Sequence, residues 1–180
     1  VADLLPKYGV ESELVDGGDL AAWERALSKP TQAVLFESPS NPMLDIVDLT
    51  EVCKLAHAAG AKVVVDNVFA TPILQRPLEF GADIVVYSTT KHIDGQGRSL
   101  GGAILTNDQD YVETKLIPFV RNTGPALSPF NAWLLLKGIE TLDMRVERHC
   151  RNAHAVAVDL AARNEVEQVF YPSLASHPQR

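Results

Sequence analysis

Lys62-Val63-Val64-Val65-Asp66 is a β-branched run, apolar on both faces and closed by a carboxylate. Branched side chains favour the pleated strand, and a strand with no polar face is one that expects cover on both sides. The same form stands upstream in Ala33-Val34-Leu35-Phe36 and downstream in Gly81-Ala82-Asp83-Ile84-Val85-Val86-Tyr87-Ser88. The upstream run empties into Glu37-Ser38-Pro39-Ser40-Asn41-Pro42, where two prolines forbid continuation. Between the strands, residues 48–59 keep the helical period through Leu49, Val52, Leu55 and Ala56, with Asp48 and Gly60 placed as caps. Residues 19–29 predict a further helix opened by Asp19. Short apolar strands alternating with helices or long crossovers predict an α/β fold with a mostly parallel sheet covered on both faces. Residues 101–106 predict a fourth strand after a glycine-rich turn.

The pattern then turns helical. Residues 108–120 and 128–138 predict helices, and 140–163 one long helix with Leu142, Val146, Ala153, Val156 and Leu160 on one face. Val166–Tyr171 predicts the start of a strand. Residues 1–140 are therefore assigned to part of a large α/β domain, and 141–180 to a linking helix and the start of a C-terminal α+β domain. The chain opens without Met and closes on Ser176-His177-Pro178-Gln179-Arg180 with no stop signal, so a piece of something longer is expected.

Composition narrows the function classes. The 180 residues are 46% hydrophobic and 22% charged, ordinary usage for a soluble globular chain. A net charge of -7 argues against nucleic acid, which needs a basic footprint. No stretch approaches the about 20 apolar residues that span a bilayer, so no membrane partner is expected. Cys53 and Cys150 form no metal or disulfide pattern, and a reducing cytoplasm is the expected compartment.

In doubly wound sheets, ligands gather beyond the carboxyl ends of the strands. Those ends carry Ser38, Ser40 and Asn41, then Asp66 and Asn67, then Ser88, Thr89, Thr90, Lys91 and His92. A lysine alone on a turn is ordinarily a surface residue. After an apolar strand and three hydroxyl residues it is expected close to the interior, where a neutral amine suits covalent chemistry. Ser88 and Thr90 supply hydroxyls suited to a phosphate, with turn amides beside them. Asp66 has two even readings, a partner for a pyridinium nitrogen or a cap for the following turn. Gly95-Gln96-Gly97-Arg98 and Gly101-Gly102 fit no nucleotide fingerprint, because strand and not helix follows them. They are expected to shape a tight turn close to a cofactor. His92 is expected to be a hydrogen-bonded structural residue, and no metal site is expected.

Tyr87-Ser88-Thr89-Thr90-Lys91-His92 with Gly101-Gly102 resembles the cofactor-lysine signature of the Cys/Met-metabolism pyridoxal-phosphate family. Glu37–Pro42, Val65-Asp66-Asn67 with Ala70-Thr71-Pro72, Arg121–Gly124 and Ser128–Phe130 resemble further segments of it in the same order. The resemblance implies the large domain of a fold-type I pyridoxal 5'-phosphate enzyme, whose seven-stranded-type sheet is only partly present. It implies Lys91 as the lysine holding the cofactor and moving protons, Asp66 at the pyridine nitrogen, and Ser88 and Thr90 at the phosphate. Asn41 would lie near the phenolic oxygen or the substrate carboxylate. Val68 and the stretch His92–Arg98 depart from many members and look like the O-succinylhomoserine sulfhydrylase branch. This implies a transferase of methionine biosynthesis that takes an O-acylhomoserine and sulfide, built as a homotetramer with active sites shared across a dimer. Cystathionine γ-synthase or γ-lyase chemistry is the alternative within the family, and a non-catalytic assembling fragment the alternative outside it.

Overall fold

The structure is a computed structural model and describes residues 3–179. Helix α1 (Leu20–Ala26) starts where the Asp19 side chain accepts from the Ala21 N–H at 2.9 Å. Strand β1 (Ala33–Glu37) leads to α2 (Leu49–Ala58), opened by Asp48 accepting from Glu51 N and closed before Gly60, which takes φ 78°. Strand β2 (Lys62–Asp66) passes through the short α3 (Thr71–Leu74) to β3 (Ile84–Ser88). After β4 (Gly102–Leu105) come α4 (Gln109–Tyr111), a π-turn at Val112–Leu116, and α5 (Ile117–Thr123). Pro118, at the start of α5, has no N–H for the Thr114 carbonyl, so the ladder loosens ahead of it. Helices α6 (Pro129–Ile139) and α7 (Leu142–Ala161) end the regular structure.

The sheet order is β1-β2-β3-β4. The first three strands are parallel, in the register Glu37↔Asp66 and Asp66↔Val86. β4 runs antiparallel to β3, pairing Val86 with Ile104 and Ser88 with Gly102. The segment between them holds no helix, so the chain doubles back where a parallel return would need a crossover.

One face of the sheet is the core. Val34, Phe36, Val63, Val65, Val85 and Tyr87 are buried there with Leu49, Val52, Cys53 and Ala56 of α2. Trp23 of α1 packs edge-on against Phe36 at 5.8 Å between ring centres. Leu35 and Ile104, on the opposite face, are 60% and 51% exposed, because α1 and α2 lie on one side only.

The expected strand at Val166–Tyr171 is absent. Residues 166–171 are irregular and pair with neither edge strand of the sheet, β1 or β4. The segment folds back instead, and the Gln179 amide imitates a backbone: Nε2 donates to Ile46 O at 2.7 Å and Oε1 accepts from Ile46 N at 2.8 Å. No helix is long and apolar enough to cross a membrane, and no cluster of three His, Cys, Asp or Glu could hold a metal, among the described residues.

At the opposite end of the strands from their carboxyl termini, Asp83 accepts from Val63 N at 2.8 Å, His57 Nε2 at 2.9 Å and Lys62 Nζ at 3.1 Å. Burial works to raise its carboxyl, but these three donors outweigh it and hold the group below the usual range. A depressed folded pKa adds stability above the unfolded value of about 3.9 and loses it as pH falls through the folded value. Melting curves of the intact protein should therefore drop below about pH 4 less steeply for Asp83→Ala than for wild type. The variant should be less stable at neutral pH by about 1–3 kcal/mol, because Val63 N–H is left without a partner. Equal acid slopes in both proteins would contradict this role.

Candidate functional site

Register and alternation place the polar strand ends. Partners in adjacent strands share a face, so Glu37, Asp66 and Val86 stand together on the open face, and Ser88 follows Val86 on that face by one strand repeat, about 7 Å. Opposite Ser88, Gly102 adds no side chain. The face that α1 and α2 leave open thus carries a carboxylate pair and a hydroxyl at its carboxyl-end rim.

Asp66 serves the turn as well as the face. Its Oδ1 accepts from Val68 N at 3.0 Å, which is the capping geometry, and leaves the second oxygen for another partner. Glu37 lies beside it with Oε2 accepting from Asn41 N at 3.1 Å. Burial pushes the Glu37 carboxyl up, the Asn41 N–H pulls against it, and the neighbouring charge of Asp66 adds to the rise. In the sequence Glu37 opens the loop segment Glu37–Pro42, whereas the structure makes it the last residue of β1. Its pairing with Asp66 depends on register, which local pattern does not reveal.

Asn67 is fully buried and joins three strand ends. Its Nδ2, with two hydrogens, lies within bonding distance of Thr71 O (3.2 Å), Gln75 O (2.8 Å) and Tyr87 Oη (2.9 Å). Gln75 Nε2 donates to Asn67 Oδ1 and to Ser38 O, both at 2.9 Å, and Ser38 Oγ accepts from Val47 N. Thr71, buried and β-branched, is held at φ 59° by this network, a conformation such residues rarely adopt. Gln75 is a residue sequence reasoning missed, since nothing in its neighbourhood marks it.

The lysine turn follows β3 directly. Lys91 N donates to Ser88 O at 3.2 Å, Asp94 N to Thr89 O at 2.9 Å, and Gly95 N to Lys91 O at 2.8 Å. Lys91 itself is exposed, so the expected interior position is not what these residues provide. Thr90 Oγ1 accepts from Gly101 N at 3.0 Å and lies 3.3 Å from Gly101 O. Thr89 Oγ1 is buried without a partner among the described residues, and a Cβ on Gly101 would stand 2.6 Å from it. Gly101 is therefore needed for close approach, and Gly95 and Gly97 for φ of 73° and 66°. Asp94, buried, accepts from Arg98 N at 2.6 Å, Arg98 Nε at 2.9 Å and Gln96 N at 3.3 Å. The Arg98 backbone bond leads in holding its carboxyl below the usual range against burial. The expected ring hydrogen bond of His92 is absent among the described residues. The ring is half-buried, 5.9 Å from that of His149, and burial, then the charges of His149 and Arg145, hold it below the usual imidazole range.

The structure thus brings Asp66 and Ser88 to one face, with Thr90 and Lys91 on the turn that continues from Ser88. Asn41 is exposed and tied in through its backbone N–H, so its side chain is not gathered with the others by any hydrogen bond among the described residues.

The sequence profile of the Cys/Met metabolism PLP-dependent enzymes matches residues 1–180. An O-succinylhomoserine sulfhydrylase of Mycobacterium tuberculosis is 58% identical over 178 residues, which is 99% of this chain and 44% of the relative. An L-methionine gamma-lyase of Pseudomonas putida is 44% identical over 173 residues, 96% of this chain and 44% of that one. The crystal structure of cystathionine gamma synthase from Xanthomonas oryzae pv. oryzae, in complex with cystathionine, superposes with a TM-score of 0.93 at 42% identity. It covers 98% of this chain and 46% of its own. The chain spans less than half the length of the relatives it matches.

Proposed function

The chain belongs to the Cys/Met metabolism PLP-dependent enzymes, and from that premise we propose that Lys91 holds pyridoxal 5'-phosphate and that the intact protein makes homocysteine from O-succinylhomoserine and sulfide. The observation that carries this is the shared sheet face of Asp66, at the end of β2, and Ser88, at the end of β3, from which the chain runs into the Lys91 turn. The donor set fits the cofactor. Asp66 has a carboxylate oxygen to hold a proton at the ring nitrogen, while its other oxygen stays on Val68. Ser88 offers its hydroxyl to the phosphate. Thr90 accepts from Gly101 N–H and can turn its own hydrogen from Gly101 O to the phosphate. Asn41, on the loop that Glu37 pins, is assigned to the phenolic oxygen or substrate carboxylate.

Bound there, the cofactor supplies an electron sink for negative charge on the substrate. Lys91 does the proton work. As a free amine it takes the proton from Cα, gives that proton up, and as a free amine again takes one from Cβ, so that succinate leaves from Cγ. Sulfide adds at Cγ, protons return to Cβ and Cα, and the sum is O-succinylhomoserine plus hydrogen sulfide giving homocysteine plus succinate. The assembly proposed is a cytoplasmic homotetramer. Phe130, Trp133 and Leu136 on α6, all more than half exposed, support a neighbouring polypeptide against this helix.

The likeness to the sulfhydrylase at 58% identity favours sulfide as nucleophile, and the likeness to a γ-synthase keeps cysteine as the second reading. Offering both nucleophiles to the intact enzyme in one vessel should give mostly homocysteine. Mostly cystathionine would transfer the assignment to the synthase.

A further inference from the structure

The turn that carries Lys91 is gripped by a side chain far along the chain. Arg145, in the first turn of α7, donates from Nη1 to His92 O at 2.7 Å and from Nη2 to Ile93 O at 3.3 Å. The same Nη2 donates to Gly138 O at 2.8 Å, in the last turn of α6, and Nε reaches Thr141 Oγ1 at 3.1 Å. We propose that Arg145 is a positioning residue for Lys91: its guanidinium fixes the two peptide groups that follow the lysine, and so sets where the amine stands. This rests on Lys91 being the cofactor lysine.

Backbone bonds already account for the carbonyls of Ser88, Thr89 and Lys91. Those of His92 and Ile93 point out of the turn, and Arg145 is what ties them to the rest of the fold. Only a planar fork with several N–H groups reaches these carbonyls and the α6 end together, which an ammonium cannot do. Two glycines make the approach possible. A Cβ on Gly95 would overlap the Arg145 guanidinium, and a Cβ on Gly138 would overlap the Ile93 carbonyl oxygen. Side chains are thus missing on both sides of the contact, where α6, α7 and the lysine turn meet.

The test uses the intact, cofactor-loaded enzyme and its Arg145→Ala and Arg145→Lys variants. Misplacement of a reacting group by about 1 Å costs on the order of 100-fold, so kcat of Arg145→Ala should fall about 10- to 100-fold. KM for the O-acylhomoserine should stay within about threefold, since no substrate contact is removed. The visible circular dichroism of the bound cofactor should weaken. Added methylguanidinium should restore both signals, and methylammonium neither. Arg145→Lys keeps the charge and the stem; it should fold, melt near wild type and still show the lowered kcat and dichroism. If Arg145→Ala does not fold, the kcat and dichroism of Arg145→Lys decide between the same two outcomes. Wild-type kcat and dichroism in a folded variant would overturn the proposal, as would activity lost only in proportion to the unfolded fraction. Borohydride labelling of the wild type separates the two claims. A label on another lysine overturns the Lys91 assignment and this proposal with it, whereas a label on Lys91 with unperturbed variants overturns this proposal alone.

Discussion

Lys91→Ala in the intact protein is expected to lower turnover by at least about 1,000-fold, because in the proposed role one amine both anchors the cofactor and moves the substrate protons. The fold should survive. Every hydrogen bond that Lys91 makes within its turn is through its backbone, N–H to Ser88 O and C=O from Gly95 N, and alanine keeps both. The side chain is exposed, and truncating such a residue ordinarily changes stability by no more than about 0.5 kcal/mol. Steady-state kinetics with a melting curve on the same sample decide the matter. A folded variant that retains turnover within about tenfold of wild type would remove Lys91 from the proton chemistry.

Asp66 calls for two substitutions, because it has two roles to separate. Its carboxylate caps Val68 N–H and also stands on the open sheet face beside Glu37. Asp66→Asn keeps an oxygen for the cap and removes the charge; Asp66→Ala removes both. If charge at the ring nitrogen sustains the electron sink, losing about 3–4 kcal/mol of transition-state stabilisation cuts the rate by hundreds-fold in either variant. Asp66→Asn should then be nearly as slow as Asp66→Ala but more stable, since a lost cap costs about 1 kcal/mol. Asparagine with near wild-type turnover would reduce Asp66 to a turn cap.

The parts of the fold legible in the sequence were those that local chemistry decides. Asp19 and Asp48 announce helix starts because a short acceptor must satisfy free N–H groups, and both do so here. The runs at 33–37, 62–66 and 84–88 are strands because no other element suits five mostly branched or aromatic apolar residues between helices. What was not legible depends on distant partners. The second face of the sheet is open because apolar alternation says what seeks cover, not what supplies it, and Leu35 and Ile104 stay in water within this chain. Val166–Tyr171 has strand composition but joins neither edge of the sheet, because composition alone does not bring it alongside β1 or β4. In the site, Asp66, Ser88, Thr90 and Lys91 stood out because each follows an apolar strand. Glu37 needed the register, Gln75 needed the buried Asn67 amide, and Arg145 needed α7 laid over the lysine turn from 53 residues away.

Borohydride reduction of the intact protein with its cofactor, followed by peptide mass mapping, identifies the lysine that holds it. A stoichiometric cofactor adduct on Lys91, absent after Lys91→Ala, is the predicted result. An adduct on Lys54, Lys62 or any other lysine would contradict it.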